Sequence, residues 1–330
     1  TGVQTCALPI DLLDEGSLAS AAAFAAAQGE LRLVVDATGF LHDDRQGPEK
    51  SWRQLDGASL ARALLREPQP RSCGRSARVT AVYTDARCLD HAVAGHPEKP
   101  ERLEAAVNAA QTLGSALDWP AILPADPQVI ALAHSTALIA QVSRTSASGG
   151  GWMDPDTFVV PASYEAATLA AGATVHAAGS VVSGQQANAL VLVRPPGHHA
   201  GRERSMGFCL FNNVAIAAEW AIAEHGLKRV AIIDIDVHHG NGTQDIFYDR
   251  SDVLYCSTHQ FPFYPGTGAL DEAGAGPGVG ATINVPLPAG SGDDVYRAAA
   301  DDVLVPALRR FEPELMLISL GFDEIGRAHV

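Results

Sequence analysis

Asp234-Ile-Asp236-Val-His238-His239-Gly240-Asn241-Gly242 sets three metal-competent side chains at alternate positions, directly after the apolar run Arg229-Val-Ala-Ile-Ile233. A short continuous apolar run bounded by polar residues reads as a strand buried on both faces of a parallel sheet. Successive side chains of a strand point to opposite faces. If the strand continues, Asp234, Asp236 and His238 therefore share one face while Ile235 and Val237 take the other. The polar groups then leave the carboxyl end of the strand, where open α/β sheets bind ligands.

Other strand candidates end in the same way. Leu190-Val-Leu-Val193 runs into Arg194-Pro-Pro-Gly-His198-His199-Ala200, and Val253-Leu-Tyr-Cys256 runs into Ser257-Thr258-His259. Leu315-Met-Leu-Ile-Ser-Leu320 runs into Gly321-Phe322-Asp323. In a parallel sheet all of these ends lie along one edge. Asp236, His238 and Asp323 form the natural metal trio, since two carboxylates and one imidazole leave a position open, as in catalytic zinc sites. Such a metal lowers the pKa of water and polarises a carbonyl, and a neighbouring imidazole from the His198-His199 pair moves the proton.

The rest of the chain is consistent with a large soluble enzyme. Its 330 residues are 47% hydrophobic, enough for a sizeable core, and a formal charge of −15 opposes general attraction to nucleic acid or anionic membrane. Five cysteines without CxxC spacing indicate neither a disulfide framework nor a thiolate zinc knot. A reducing cytoplasm is the expected compartment, with no membrane span, no direct nucleic-acid partner and room for homo-oligomers. Strand candidates at 78–83, 189–193, 229–235, 252–257 and 314–320 alternate with helix starts near Pro97, Pro161, Asn212 and Asp293, the pattern of a parallel α/β sheet with helices on both faces.

The ends of the chain read differently. Residues 1–10 (TGVQTCALPI) and 324–330 (EIGRAHV) back-translate into one sequencing adapter read on opposite strands. The natural segment is then expected to run from about Asp11 to Asp323 as an open-ended fragment. Residues 11–76 hold an Ala-rich helical stretch, a strand candidate at 30–35 and a Pro/Arg/Ser/Gly-rich linker at 68–76; no function is assigned to them, and a separate upstream unit is one reading. The expected enzyme domain covers 77–323.

RPPGHHA, GFCLFNNVAIA, DIDVHHGNGTQDIFY, STHQFPFYPGTG, INVPLPAG and LGFD, in this order between Ala77 and Asp323, resemble the histone deacetylase and acetylpolyamine amidohydrolase superfamily. The resemblance implies an arginase-like α/β fold, here without its carboxyl-terminal part, and hydrolysis of an acetyl-lysine side chain or an acetylpolyamine by metal-activated water. Carried over by position, it makes Asp236, His238 and Asp323 the zinc ligands, with iron(II) an alternative metal. His199 becomes general base and acid, and His198, paired with Asp234, gives electrostatic support. It also implies a structural potassium ion held by oxygens of Asp234, Asp236, His238, Ser257 and Thr258, and a second monovalent-cation site at Phe247 and Val253.

Asn241 stands where many class I members carry an aspartate, so the chain is similar to the class II and bacterial branch, and a less basic His199 is expected. Gly207, Phe208 and Tyr264 match the acyl-lysine tunnel, Arg102 an internal cavity behind it, and Asp154 or Asp156 a rim that grips substrate. The competing reading makes Phe208 and Tyr264 core aromatics and Arg102 a salt-bridge residue. His91, His134, His176 and His225 read as ordinary surface or helix residues, and Asn241-Gly242 by itself as a turn. The family's oxyanion-stabilising tyrosine lies downstream of Asp323, so this role falls on no residue here and an impaired fragment is expected. The alternative function is a non-catalytic acyl-group binder or metal-dependent scaffold of the same fold; a binuclear ureohydrolase is weaker, because His239 and Asn241 stand where it needs further carboxylates.

Overall fold

A computed structural model describes residues 33–37, 80–114 and 117–321. The flanking segments, the linker at 68–76, Phe322 and Asp323 lie outside them. The strands are β1 (Leu33–Ala37), β2 (Thr80–Tyr83), β3 (Leu117–Asp118), β4 (Gly151–Trp152), β5 (Phe158–Val159), β6 (Asn188–Leu192), β7 (Val230–Asp234), β8 (Val253–Gln260), β9 (Thr282–Leu287) and β10 (Leu315–Leu320). The helices are α1 (Pro100–Gln111), α2 (Pro127–Ile130), α3 (Thr136–Ala147), α4 (Ser163–Val182), α5 (Asn213–His225), α6 (Asn241–Phe247), α7 (Asp293–Ala299) and α8 (Val305–Phe311).

Among the described residues the main sheet has the order β3-β2-β6-β1-β10-β7-β8-β9, and every pairing in it is parallel. All carboxyl ends therefore face the same way, as the strand-end motifs require. β4 and β5 form a separate antiparallel pair, so the expectation of a single sheet is corrected. β1 comes from the stretch at 11–76, for which a separate upstream unit is one reading, and it pairs with β6 on one side and β10 on the other. Without it, two interior strands would each carry an unpaired row of backbone groups. The sheet therefore does not begin at Ala77.

Burial explains the central strands. Every residue of β7 is buried, as are the first five of β10, which is why both read as apolar runs without alternation. α4 is rich in alanine and packs along α5 and the sheet. Its small residues permit close approach: a Cβ on Gly172 would overlap the Leu123 carbonyl. α5 starts where Asn212 caps the Ala215 amide and stops at Gly226, whose left-handed φ of 67° ends the turn. The start expected near Pro97 falls instead at Pro100, which takes the first turn of α1. Among the described residues no helix is long and apolar enough to cross a membrane.

The stretch from Asp234 to Gly242 departs from expectation in two ways. β7 ends at Asp234, so Asp236 and His238 do not share a strand face. They converge through successive side-chain caps: the Asp236 amide donates to Asp234 Oδ1 at 3.2 Å and the His238 amide to Asp236 Oδ1 at 2.8 Å. Asn241-Gly242 does not stand as a turn either, because it opens α6. A Cβ on Gly242 would overlap the His199 and Ala200 backbone, so this glycine serves close packing of the two loops.

Candidate active site

The loop after β6 is clamped before it reaches the histidine pair. Arg194, buried at the strand end, pairs with the Glu98 carboxylate through both Nε and Nη2 and donates to the Cys88 and His91 carbonyls. Glu98 is fully buried; burial alone would raise its pKa, and Arg194, with help from His91 and Arg102, brings it below the usual carboxylate range. The clamp fixes the start of the loop that carries His198 and His199. Arg102, expected at an internal cavity or in a salt bridge, is buried on α1 within electrostatic reach of this carboxylate.

His198 and His199 lie side by side with ring centroids 4.0 Å apart, yet their environments differ. His198 Nδ1 is 2.9 Å from Asp234 Oδ2, and its Nε2 is 4.0 Å from Asp236 Oδ2. Burial disfavours charge on His198, but the two carboxylates outweigh it and raise its pKa to about 9. His199 Nδ1 is 2.9 Å from Asn241 Oδ1. Burial, followed by the positive fields of His198 and His238, pushes its pKa well below 6.5, and the hydrogen bond to Asn241 recovers only part. His199 is therefore weakly basic, chiefly through burial rather than through an amide in place of a carboxylate. An amide oxygen only accepts, so Nδ1 carries the proton and Nε2 keeps its lone pair. The Asn241 amide is itself oriented, with its Nδ2 directed at Met206 Sδ at 3.4 Å.

Asp234 is completely buried and also receives the Tyr255 hydroxyl at 3.4 Å. His238 Nδ1 lies 3.1 Å from Asp236 Oδ1, so one imidazole nitrogen and one carboxylate converge beside the histidine pair. The Asp236 carboxylate is held far below its ordinary pKa despite burial, by His198 and His238. An acceptor-only carboxylate against a ring nitrogen, in a buried pocket, is the donor chemistry of a borderline divalent metal. These residues fit such an ion. Among the described residues no third His, Cys, Asp or Glu joins them, and Asp323, the third expected ligand, lies outside those residues.

Three of the expected monovalent-cation residues, Val253, Ser257 and Thr258, occupy the adjoining strand β8. Ser257 Oγ is 2.8 Å from His259 Nδ1, and Thr258 Oγ1 is buried and has no hydrogen-bond partner among the described residues. Phe247 closes α6 and Val253 opens β8, both buried.

Aromatic rings wall the approach. Tyr264 stands edge-on to His199 and His238, with centroids 5.1 and 5.9 Å away, and remains 38% exposed. Phe263 stacks on His238 at 5.1 Å. Phe208 meets the His96 ring edge-on at 4.8 Å and adopts a φ of +67°. Neither Phe208 nor Tyr264 is a buried core ring. Gly207 before it is also left-handed, and a Cβ there would overlap the His199 ring, so only glycine fits. At the rim, Asp154 Oδ1 accepts from the Asp156 and Thr157 amides, and Asp156 Oδ1 accepts from the Thr157 hydroxyl at 3.2 Å. The pKa of Asp156 is raised, first by burial and then by Asp154. Trp152, 57% exposed, flanks them.

A family model described as the histone deacetylase domain matches residues 96–328. The chain belongs to the histone deacetylase family. Its amidohydrolase relatives include histone deacetylase 10, chloroplastic, of Oryza sativa subsp. japonica, 41% identical over 73% of this chain. The match spans 59% of that rice deacetylase. The histone deacetylase-like amidohydrolase of Pseudomonas aeruginosa is 40% identical over 74% of this chain and 70% of its own length. The crystal structure of the HDA15 HD domain superposes with a TM-score of 0.71 at 40% identity, covering 74% of this chain and 72% of that one.

Several residues around this deacetylase-family site escaped the motif reading. His134, expected to be an ordinary surface or helix residue, is buried and ties together two points of the connection from β6 to α5: its Nδ1 is 2.9 Å from the Gly201 carbonyl, and its Nε2 accepts the Asn212 amide at 2.8 Å. His91 is likewise buried, stacked on Phe158 at 4.2 Å and hydrogen-bonded to Ser163. His239 is buried between Thr267 and Gln244, and His259 bonds the Gly268 carbonyl, which together pin the loop bearing Tyr264. No spacing signal marks the partners of His134 and His91, because both pair across the fold. Arg194 was visible at a strand end, but only the distant Glu98 shows its purpose.

Proposed function

We propose that the chain is a zinc-dependent amidohydrolase that removes acetyl groups from a lysine side chain or a polyamine. The observation that carries this reading is the pairing of one buried imidazole with a carboxylate and of its neighbour with an amide, His198 on Asp234 and His199 on Asn241, beside the converging Asp236 and His238. Asp236 and His238, with Asp323 as third ligand, would hold the metal. Zinc(II) bound there supplies Lewis acidity toward the acetyl carbonyl and lowers the pKa of water to about 7; iron(II) could take its place.

The remaining work belongs to the side chains. His199, neutral with a free Nε2, accepts a proton from the attacking water and returns it to the departing amine. Its low basicity makes that return favourable. His198, held protonated by Asp234 and Asp236, stays a fixed positive charge next to the developing oxyanion. Phe208 and Tyr264 flank the alkyl chain of the substrate and exclude water, while Asp156 meets a donor group at the mouth. Oxygens of Asp234, Asp236, His238, Ser257 and Thr258 would hold a structural potassium ion, and Phe247 and Val253 would contribute to a second monovalent-cation site.

The test is acetate release from an Nε-acetyl-lysine peptide and from N-acetylspermidine by protein loaded with zinc, alongside thermal stabilisation by zinc alone. Both signals are expected to vanish in Asp236→Asn and His238→Ala. Zinc stabilisation with acyl-peptide binding but no acetate release would favour the non-catalytic binder. Absence of zinc binding and of substrate turnover would reject the proposal.

A further inference from the structure

We infer that Thr157 is a positioning residue that couples the rim carboxylate of Asp156 to the Phe208 wall, so that both are set before a substrate arrives; its consequence for binding rests on the deacetylase reading above. Thr157 is completely buried. Its Oγ1 accepts the Phe208 amide at 2.9 Å and lies 3.2 Å from Asp156 Oδ1. The direction of both bonds follows from chemistry: an amide N–H only donates, so the single hydroxyl proton is left for the carboxylate. One hydroxyl thereby joins two elements 51 residues apart in sequence.

The joint is placed where the backbone most needs it. Phe208 is left-handed without being glycine, a conformation that side chains avoid and that persists only when neighbours hold it. The Thr157 oxygen holds the amide of that residue. On the rim side, the Asp154 cap and the bond from His96 Nε2 to the Asp156 carbonyl at 3.1 Å fix the main chain. The Asp156 side chain is met by the neighbouring Asp154 carboxyl and by the Thr157 hydroxyl, and of these two contacts only the hydroxyl also reaches Phe208. His96 also places its ring edge against Phe208, so rim and wall touch through a second path that does not hold the carboxylate.

Removing the hydroxyl while keeping the volume isolates the coupling. In Thr157→Val the Phe208 amide loses its acceptor and the Asp156 carboxylate its donor; Thr157→Ser keeps both bonds. By NMR, exchange of the Phe208 amide is expected to accelerate about tenfold or more in the valine variant and to stay within about twofold in the serine variant. Affinity of the zinc-loaded protein for a fluorescein-labelled Nε-acetyl-lysine peptide is expected to fall about tenfold with valine and to be retained with serine. Against an Asp156→Asn background the valine substitution should add no further loss, because Thr157 acts through that carboxylate.

Unchanged Phe208 exchange in Thr157→Val, or independent and multiplying losses with Asp156→Asn, would overturn the inference. If valine prevents folding, Thr157→Ala carries the same expectations. Should the unaltered protein bind no acetylated peptide, the exchange measurement still decides the coupling, and the failure falls on the deacetylase reading alone.

Discussion

Lowering the pH from 7.5 to 5 is expected to weaken the fold through His134, a residue outside the proposed chemistry. Burial is the largest cause of its depressed pKa, about 4 against an ordinary 6.5. The bonding agrees, since Nε2 accepts the Asn212 amide and a protonated ring could not. A base with a lowered folded pKa leaves the unfolded chain binding the extra proton. Its stabilising contribution is therefore intact above pH 6.5 and declines as pH falls toward 4. A gap of about 2.5 pH units corresponds to about 3.4 kcal/mol once both forms are fully titrated, and to about 2 kcal/mol at pH 5. Urea unfolding of the parent and of His134→Gln at both pH values measures it, because glutamine does not titrate. The parent is expected to lose about 2 kcal/mol more than the variant between the two conditions. Equal losses would refute the assignment of His134 as a buried neutral bridge.

Arg194→Met leaves Glu98 buried without its partner and is expected to cost about 3–5 kcal/mol, with the Glu98→Gln, Arg194→Met double variant recovering part; urea midpoints check both. Because the folded pKa of Glu98 is depressed, the pair's contribution holds above the ordinary carboxylate range and fades as pH falls through the folded value, so parent and double variant should converge in acid. Gly207→Ala drives a Cβ into the His199 ring at a left-handed φ. It is expected to destabilise by about 2 kcal/mol or more, seen as a lower Tm together with shifted His199 ring resonances. Asn241→Asp places a negative charge on His199 Nδ1 and should raise the pKa of that ring by about one unit or more, read by NMR titration; an unmoved titration would contradict the pairing.

Apolar runs made the parallel strands legible because strands buried on both faces leave no other reading. The polar strand ends announced the site for the same reason. β9 was missed as a strand because alternation and an internal proline blur its pattern, and Thr282–Leu287 sits at the edge of the sheet. The convergence of Asp234, Asp236 and His238 was foreseen, but for the wrong cause: side-chain caps after the strand, rather than strand alternation, gather them. Tertiary partners were not legible. Nothing near His134 in the sequence points to Gly201 or Asn212, and nothing near Arg194 points to Glu98. The place of β1 between β6 and β10 was hidden because parallel pairing imposes no local turn signal.

Every described group proposed for proton transfer or for holding the zinc ion, from His198 to Asn241, lies within one stretch shorter than 50 residues. β6 and β7, which carry that stretch, are nevertheless separated by two strands, β1 and β10, which fill the interval. During synthesis the histidine pair and its aspartates leave the ribosome well before residues 315–320, which complete the interval. The proton network that separates His198 from His199 therefore depends on two strands drawn from far outside the stretch that carries it.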